Sequence, residues 1–321
     1  MAGQNKIIVI LGPTAVGKSA FAVKLAQKFN GEVISADSRQ VYKGLDIGSG
    51  KVSRDKAKSY KLKAKSYLYK GIPHHLLDVA SPKRIFTVAQ YQKLAQKAIN
   101  NIFKKNKVPI ICGGTGFYID ALIYGCKFPE VAPQPKLRKQ LEQKSTEELF
   151  KLLKKLDPKR AKTIEKKNPR RLIRAIEIAT KIGRIPILSK KSFPYPVLMF
   201  GIKKEKEELK KLIKKRFFKW LKQGFLKEVL KLKKSGLSWQ RIEDFGIHYK
   251  TAAQYLKKEI SDKEFIEKSL IGLQNYSKRQ MTWFKKDKNI HWLKNPAQAY
   301  SLVKSFLQKG HLRRRIKTTQ I

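Results

Sequence analysis

The stretch "LGPTAVGKSA", residues 11–20, decides the fold of this chain. Within it, Gly12-Pro13-Thr14-Ala15-Val16-Gly17-Lys18-Ser19 has the spacing G-x4-G-K-[ST] of a phosphate-binding loop. The apolar run Ile7–Leu11 before it reads as a buried strand. Lys18–Phe29 after it reads as a helix, with Phe21, Leu25 and Phe29 on one face. That order has a mechanical reason. The two glycines let the backbone wrap closely, and the first amides of the helix point at an anion. Lys18 neutralises a terminal phosphate, and Ser19 can ligate a phosphate-bound Mg²⁺. A plain glycine-rich turn is the alternative, but it needs neither the strand before nor the amphipathic helix after.

Two more apolar runs stop in the same manner. Glu32–Ala36 ends at Asp37, and Val108–Cys112 ends at Gly113-Gly114-Thr115-Gly116. A long helix is expected between them, at about 88–105. Alternating strands and helices imply a parallel sheet covered on both faces. The predicted class is therefore α/β, a P-loop-type three-layer core with a parallel sheet. The Pro-bearing stretches "KFPEVAPQPK" (127–136) and "SFPYP" (192–196) bracket a stretch that is helical throughout. They predict an all-helical insertion domain at 128–196. The core then takes residues 1–127 and 197–308, with a buried strand at 197–202 and helices near 204–223, 225–235 and 261–286. A short strand follows at Ile290–Leu293, and a basic tail at 309–321.

The chain has 321 residues, with 73 Lys or Arg against 24 Asp or Glu, a net charge of +49. Such an excess suits a polyanion, RNA first, although a lysine-rich solvated surface has the same composition. Residues 128–199 carry 19 Lys or Arg and 7 Asp or Glu, a density close to that of the rest, so charge alone locates no binding face. Two cysteines and five scattered histidines show no zinc-ligand spacing, and the thiols read as buried or free in a reducing compartment. No apolar run is long enough for a membrane span or a signal segment, which predicts a cytoplasmic protein with no membrane partner.

In an open parallel sheet the strand stops lie on the carboxyl edge, where ligands bind. Asp37 and Thr115 should thus face the phosphate loop. Asp37 reads either as a local cap, or a group behind a Mg²⁺, or as the first of a base-reading set. Asp37-Ser38-Arg39-Gln40 offers an acceptor, a hydroxyl, a guanidinium and an amide in a row. Arg216 falls one helical turn from both Leu212 and Trp220, on the apolar side of its helix. A charge there needs an anionic partner, either a carboxylate of the protein or a bound diphosphate. Asn168-Pro169 opens a helix on which Arg170, Arg171 and Arg174 share a face, while Leu172, Ile176 and Ala179 turn away. That face suits nucleic-acid phosphates or plain solvent. No protein kinase, GTPase or helicase motif follows the loop, and no water-activating apparatus is evident.

Six segments in order carry a resemblance: "ILGPTAVGKSAFAVKLA", "EVISADSRQVYKGLDIGSGK", "IPHHLLDV", "VPIICGGTGFYIDAL", "NPRRLIRAIEI" and "SKRQMTWF". Over about residues 5–308 the chain resembles the bacterial tRNA dimethylallyltransferases, also called tRNA isopentenyltransferases. The resemblance implies transfer of a dimethylallyl group from dimethylallyl diphosphate to N6 of the adenosine just 3′ of the tRNA anticodon, with release of pyrophosphate. It implies that the loop, Lys18, Mg²⁺ on Ser19, and Arg216 hold the leaving diphosphate. It makes Asp37 the general base and puts Thr115 near the diphosphate or N6. Asp37, Ser38, Arg39 and Gln40, and Arg170, Arg171, Leu172, Ile173 and Arg174, match its tRNA-contacting segments, with the insertion approaching the anticodon stem. The expected partners are tRNA and the prenyl diphosphate, and the expected state is a monomer.

The chain departs from the family pattern twice. The family usually reads G-T-x-K-P where this chain has Gly48-Ser49-Gly50-Lys51-Val52, and V/I-G-Y-[KR] where it has "FGIHYK" (245–250). The roles of both segments stay open on sequence. The rival readings are an adenylate isopentenyltransferase acting on free AMP-type nucleotides, a small-molecule P-loop kinase, and a non-catalytic RNA-binding protein. The large basic insertion favours tRNA over AMP.

Overall fold

The computed structural model describes residues 5–55, 67–126, 128–186, 193–293, 295 and 297–308. The predicted tail at 309–321 lies outside them. Seven strands form one sheet: β1 (Ile7–Leu11), β2 (Gly31–Ala36), β3 (Tyr67–Tyr69), β4 (Ile72–His75), β5 (Val108–Gly113), β6 (Val197–Ile202) and β7 (Ile290–Leu293). Their order is β3-β4-β2-β5-β1-β6-β7. Every pair is parallel except β3 with β4, which is an antiparallel edge pair.

The physical basis of β1 is plain. All five of its residues are buried. Ile8 and Ile10 join a core with Phe21, Leu25, Phe200 and Leu293. Ile7, Val9 and Leu11 point to the opposite face, so an unbroken apolar run is what a strand covered on both sides requires. α1 (Lys18–Lys28) packs against β1, β2 and β5, and α2 (Val88–Phe103) against β2 and β5. α2 starts at a capping box in which Thr87 and Gln90 satisfy each other's backbone N–H.

Register brings the strand ends together. Leu11 lies opposite Gly113 on one side and Gly201 on the other, and Ala36 lies opposite Gly113. Asp37, Gly12 and Gly114 therefore leave the sheet at one edge.

Six elements have no counterpart in the sequence reading, the last helix at 297–308 among them. The β3–β4 pair is two short runs, "YLY" and "IPHH", without useful alternation. α3 (Gly116–Ile123) opens inside the glycine run that reads as a strand stop. The other two are short helices near the chain's aromatic "FGIHYK" segment, described below.

The chain divides into two compact units. One comprises the described residues up to Ile123 and from Phe193 onward; the other begins at Tyr124 and includes the described residues up to Pro186. The second unit consists of α4 (Pro135–Leu141), α5 (Thr146–Leu156), α6 (Pro158–Thr163) and α7 (Pro169–Ile182) around Leu141, Leu149, Leu153, Leu172 and Ile176. Ser145, Asp157 and Asn168 cap α5, α6 and α7 through their side chains. The buried Glu177 carboxylate accepts two hydrogen bonds from Arg138, both at 2.7 Å.

In the first unit β6 is followed by α8 (Lys206–Lys222), α9 (Phe225–Lys234), α10 (Trp239–Glu243), α11 (Ile247–Leu256), α12 (Asp262–Phe284) and, after β7, α13 (Ala297–Gln308). α10 and α11 are the two unforeseen helices near the "FGIHYK" segment. The buried side of α11 includes His248, Tyr249 and Thr251, so it carries no apolar stripe to read.

Candidate active site

A cleft of about 1270 Å³ lies over the carboxyl edge of the sheet. It is lined by Lys18 and Ser19 of the loop, by Asp37, Arg39 and Gln40, and by Arg216 and Trp220 of α8. The loop at residues 46–54, the start of α11 and a face of α12 complete the wall.

The phosphate loop has the conformation its sequence requires. Gly17 caps α1 with φ 88°, and Gly12 has φ 145°. A Cβ on Gly12 would stand 2.3 Å from the Ile202 carbonyl oxygen, so only glycine fits. Ala15 also has a positive φ, 69°, which strains a residue with a side chain. The first-turn amides of α1 have no intrahelical acceptor and remain for an anion. Val16 is buried in the core beneath. Lys18 Nζ donates to the Pro13 carbonyl at 2.6 Å. Burial, with the Arg216 charge adding, pulls the Lys18 ammonium down to about 8, while Cys112 and Asp37 pull the other way.

Asp37 combines both readings of its sequence. Its Oδ1 accepts the Arg39 N–H at 2.8 Å and the Gln40 N–H at 3.4 Å, which is a local cap. Oδ2 accepts no hydrogen bond among the described residues, and the side chain lines the cleft. The cap thus holds the carboxylate and leaves one oxygen for a substrate proton.

Thr115 is placed differently from the sequence expectation. It does not line the cleft. Its hydroxyl oxygen accepts the Ser38 N–H at 3.0 Å and lies within hydrogen-bond reach of the Tyr276 hydroxyl. It holds the Asp37–Gln40 turn from behind.

Arg216 is half-buried, and its guanidinium makes no ion pair with a carboxylate among the described residues. Nη1 donates to the Thr14 hydroxyl at 3.2 Å, and the guanidinium carbon lies 4.8 Å from the Trp220 ring centroid. Burial lowers its proton affinity, opposed by Asp37. Of the two partners that the sequence allows, a protein carboxylate is therefore not the one used.

The segment predicted to contact tRNA in the helical unit divides. Arg170 and Arg171 are exposed, and Arg171 pairs with Glu165 at 2.9 Å. Leu172 and Ile173 are buried in the core of the unit and offer no surface. Arg174 donates to the Val131 carbonyl at 2.8 Å and to buried Glu177 at 3.3 Å. Helical periodicity placed these arginines on one face, but periodicity cannot see a carboxylate three residues on that is itself buried.

Several wall residues escape the sequence reading. Gln280 in "SKRQ" accepts the Thr14 N–H through Oε1 at 2.9 Å and donates from Nε2 to the Gly114 carbonyl at 2.7 Å. It ties the phosphate loop to the end of β5. Tyr276 and Arg279 line the cleft from the same helix. The loop at 46–51, open on sequence, is held by a buried Lys51. Its Nζ donates to the Tyr42 carbonyl at 3.0 Å, to Asp46 at 2.7 Å and to Asp78 at 2.5 Å. The "FGIHYK" segment contributes Phe245, Gly246, Ile247 and His248 to the cleft. The role of Gln280 shows in no local pattern, because its partners Thr14 and Gly114 are far away in sequence.

Among the described residues no helix is long and apolar enough to cross a membrane, and no three His, Cys, Asp or Glu side chains cluster as a metal site.

Comparison with known proteins agrees with this geometry. The profile of the IPP transferase family matches residues 40–287, and that of the isopentenyl transferases matches residues 5–72. The tRNA dimethylallyltransferase of Acetivibrio thermocellus is 40% identical over 300 residues, covering 90% of this chain and 92% of its own. That of Anoxybacillus flavithermus is 39% identical over 293 residues, 90% of each chain. The crystal structure of a tRNA isopentenylpyrophosphate transferase from Bacillus halodurans superposes with a TM-score of 0.67 at 33% identity, covering 95% of this chain and 97% of that one. A phosphate loop that closes under an unpaired arginine, a family profile spanning most of the chain and relatives alike over nine-tenths of it lead to one conclusion: the chain belongs to the IPP transferase family.

Proposed function

We propose that this chain transfers the dimethylallyl group of dimethylallyl diphosphate to N6 of the adenosine just 3′ of the anticodon in tRNA, releasing pyrophosphate. The observation that carries the reading is the pairing of two unlike groups in one cleft. Lys18 and Arg216 lack carboxylate partners among the described residues and suit a diphosphate; Asp37 presents a carboxylate oxygen suited to an amine proton.

The chemistry follows from those charges. The allylic C1–O bond breaks with its electron pair going to the diphosphate oxygen, and positive charge grows on the allylic carbon. Loop amides, Lys18 and Arg216 stabilise the charge on the departing diphosphate more than that of the intact donor, which lowers the barrier. The N6 lone pair forms the new C–N bond, and Asp37 takes the N6 proton. The adenine has to leave its stack to reach the cleft.

The donor set suits Mg²⁺ in a limited way. Ser19 supplies one hydroxyl and no acidic cluster exists among the described residues. Ser19 is the residue that would hold a Mg²⁺ beside the diphosphate, and the ion would supply further neutralising charge. Exposed Arg170 and Arg171 would contact RNA phosphates. The protein would act in the cytoplasm as a monomer.

The test is mass spectrometry of nucleosides after incubating the protein with unmodified tRNA and dimethylallyl diphosphate. An N6-dimethylallyl adenosine from tRNA supports the proposal. Modification of free AMP in preference to tRNA would make the chain an adenylate isopentenyltransferase, and phosphoryl transfer from ATP would make it a kinase.

A further inference from the structure

We infer that Glu228, on α9 and outside the cleft, is a positioning residue for the diphosphate clamp and acts on Arg216 through the loop at residues 46–50. This rests on the reading of Arg216 as a diphosphate-holding group.

The Glu228 carboxylate is the anchor of that loop. Oε2 accepts the backbone N–H of Asp46 at 2.8 Å and of Ile47 at 2.6 Å; Oε1 accepts that of Gly48 at 3.1 Å. Three successive amides converge on one carboxylate, a concave arrangement of backbone N–H groups that suits an anion. The Tyr249 hydroxyl donates to Oε1 at 2.9 Å, and burial, with the Glu228 charge adding, raises that phenol well above its ordinary range, so it stays a donor. His248 Nε2 meets the Gly48 carbonyl at 2.8 Å; as that oxygen only accepts, Nε2 carries the hydrogen.

The loop ends against the guanidinium. A Cβ on Gly50 would stand 1.5 Å from Arg216 Nη2, so Gly50 and Arg216 are in direct contact. Gln40 Nε2 reaches the carbonyls of Ser49 and Gly50 at 3.3 Å each. The guanidinium is thus bounded by the Trp220 ring, the Thr14 hydroxyl and the Gly50 backbone, and only the last depends on Glu228. Because Gln40, His248 and Lys51 also hold the loop, loss of Glu228 should shift it without unfolding the protein.

The experiment is a double-mutant cycle read by pyrophosphate affinity in calorimetry and by kcat. Glu228→Gln places an amide N–H against backbone N–H donors. It should weaken pyrophosphate about tenfold and lower kcat by about a hundredfold, the scale of a misplaced clamp. In an Arg216→Ala background the same substitution should change both by less than about threefold, because the group it acts on is gone. Tyr249→Phe, which removes one of the four donors and keeps the charge, should give a smaller loss in the wild-type background and none in Arg216→Ala. Equal losses in both backgrounds would overturn the inference. So would a lowered Tm with unchanged pyrophosphate affinity and kcat. Pyrophosphate binding needs no tRNA, so a protein that binds it but prenylates nothing refutes the proposed function and leaves this inference to be judged on the binding cycle. A wild-type protein that binds no pyrophosphate refutes both.

Discussion

The Arg216 guanidinium lies against the backbone of Gly50, across 166 residues of chain, so closely that any side chain at position 50 would occupy its place. Gly50 also has φ 62°, a conformation costly for other residues. Gly50→Ala should therefore lower kcat by about a hundredfold or more through displacement of Arg216, while the protein stays folded. Steady-state kinetics beside a thermal melt check this; normal kcat in the variant would mean the guanidinium can move without consequence.

Asp37→Asn keeps the Oδ1 that caps Arg39 and Gln40 but removes the carboxylate charge. Transfer should fall by about 10²–10⁴, the usual worth of a general base, with tRNA affinity and thermal midpoint nearly unchanged. Asp37→Ala should lose the cap as well and melt lower, by about 1 kcal/mol of stability. Single-turnover rates and melts separate the two losses.

The pH dependence has a definite sign. The donor-free protein holds Lys18 near 8, below its ordinary 10.5. Between about 8 and 10.5 the unfolded chain binds more protons at this group than the folded one, so its burial penalises stability below pH 8 and the penalty is relieved as pH rises. Diphosphate binding favours the charged form, so pyrophosphate affinity should weaken about tenfold per pH unit well above pH 8. Calorimetry in two buffers of different ionisation enthalpy should find proton uptake on binding at pH 9 and little at pH 7. Equal proton uptake at both would remove Lys18 from the account.

The arginines of α7 should separate by role. Arg170→Ala with Arg171→Ala should weaken tRNA binding and reduce the salt slope by about 2, leaving pyrophosphate affinity alone. Arg174→Ala should instead lower the melting midpoint, because buried Glu177 loses a partner. Filter binding across salt concentrations and a melt distinguish them; an unchanged slope in the double variant would make that face ordinary surface.

Local patterns in the chain carried a large share of this picture. Ile7–Leu11 and Val197–Ile202 have the limits expected of them, because an apolar run flanked by glycine, proline or polar residues encodes a buried strand within itself. Lys18 was legible since strand, loop and helix are contiguous. The "IPHH" strand and α11 were not, because a four-residue strand and a helix buried through His, Tyr and Thr have no hydrophobic period.

By itself, then, the sequence determined the α/β class, the phosphate loop, the place of Asp37 at a strand end and Arg216 as a charge in want of a partner. Which partner each has was decided by tertiary structure alone. Leu172 and Ile173 turned inward and Arg174 was taken up by Glu177, while Thr115 came to stand behind Asp37 rather than beside it. Behind the clamp, Glu228 holds the loop whose Gly50 lies against Arg216, joining separate parts of the chain. Periodicity and propensity act over a few residues, whereas a carboxylate accepting distant amides depends on distances set only when the sheet has folded.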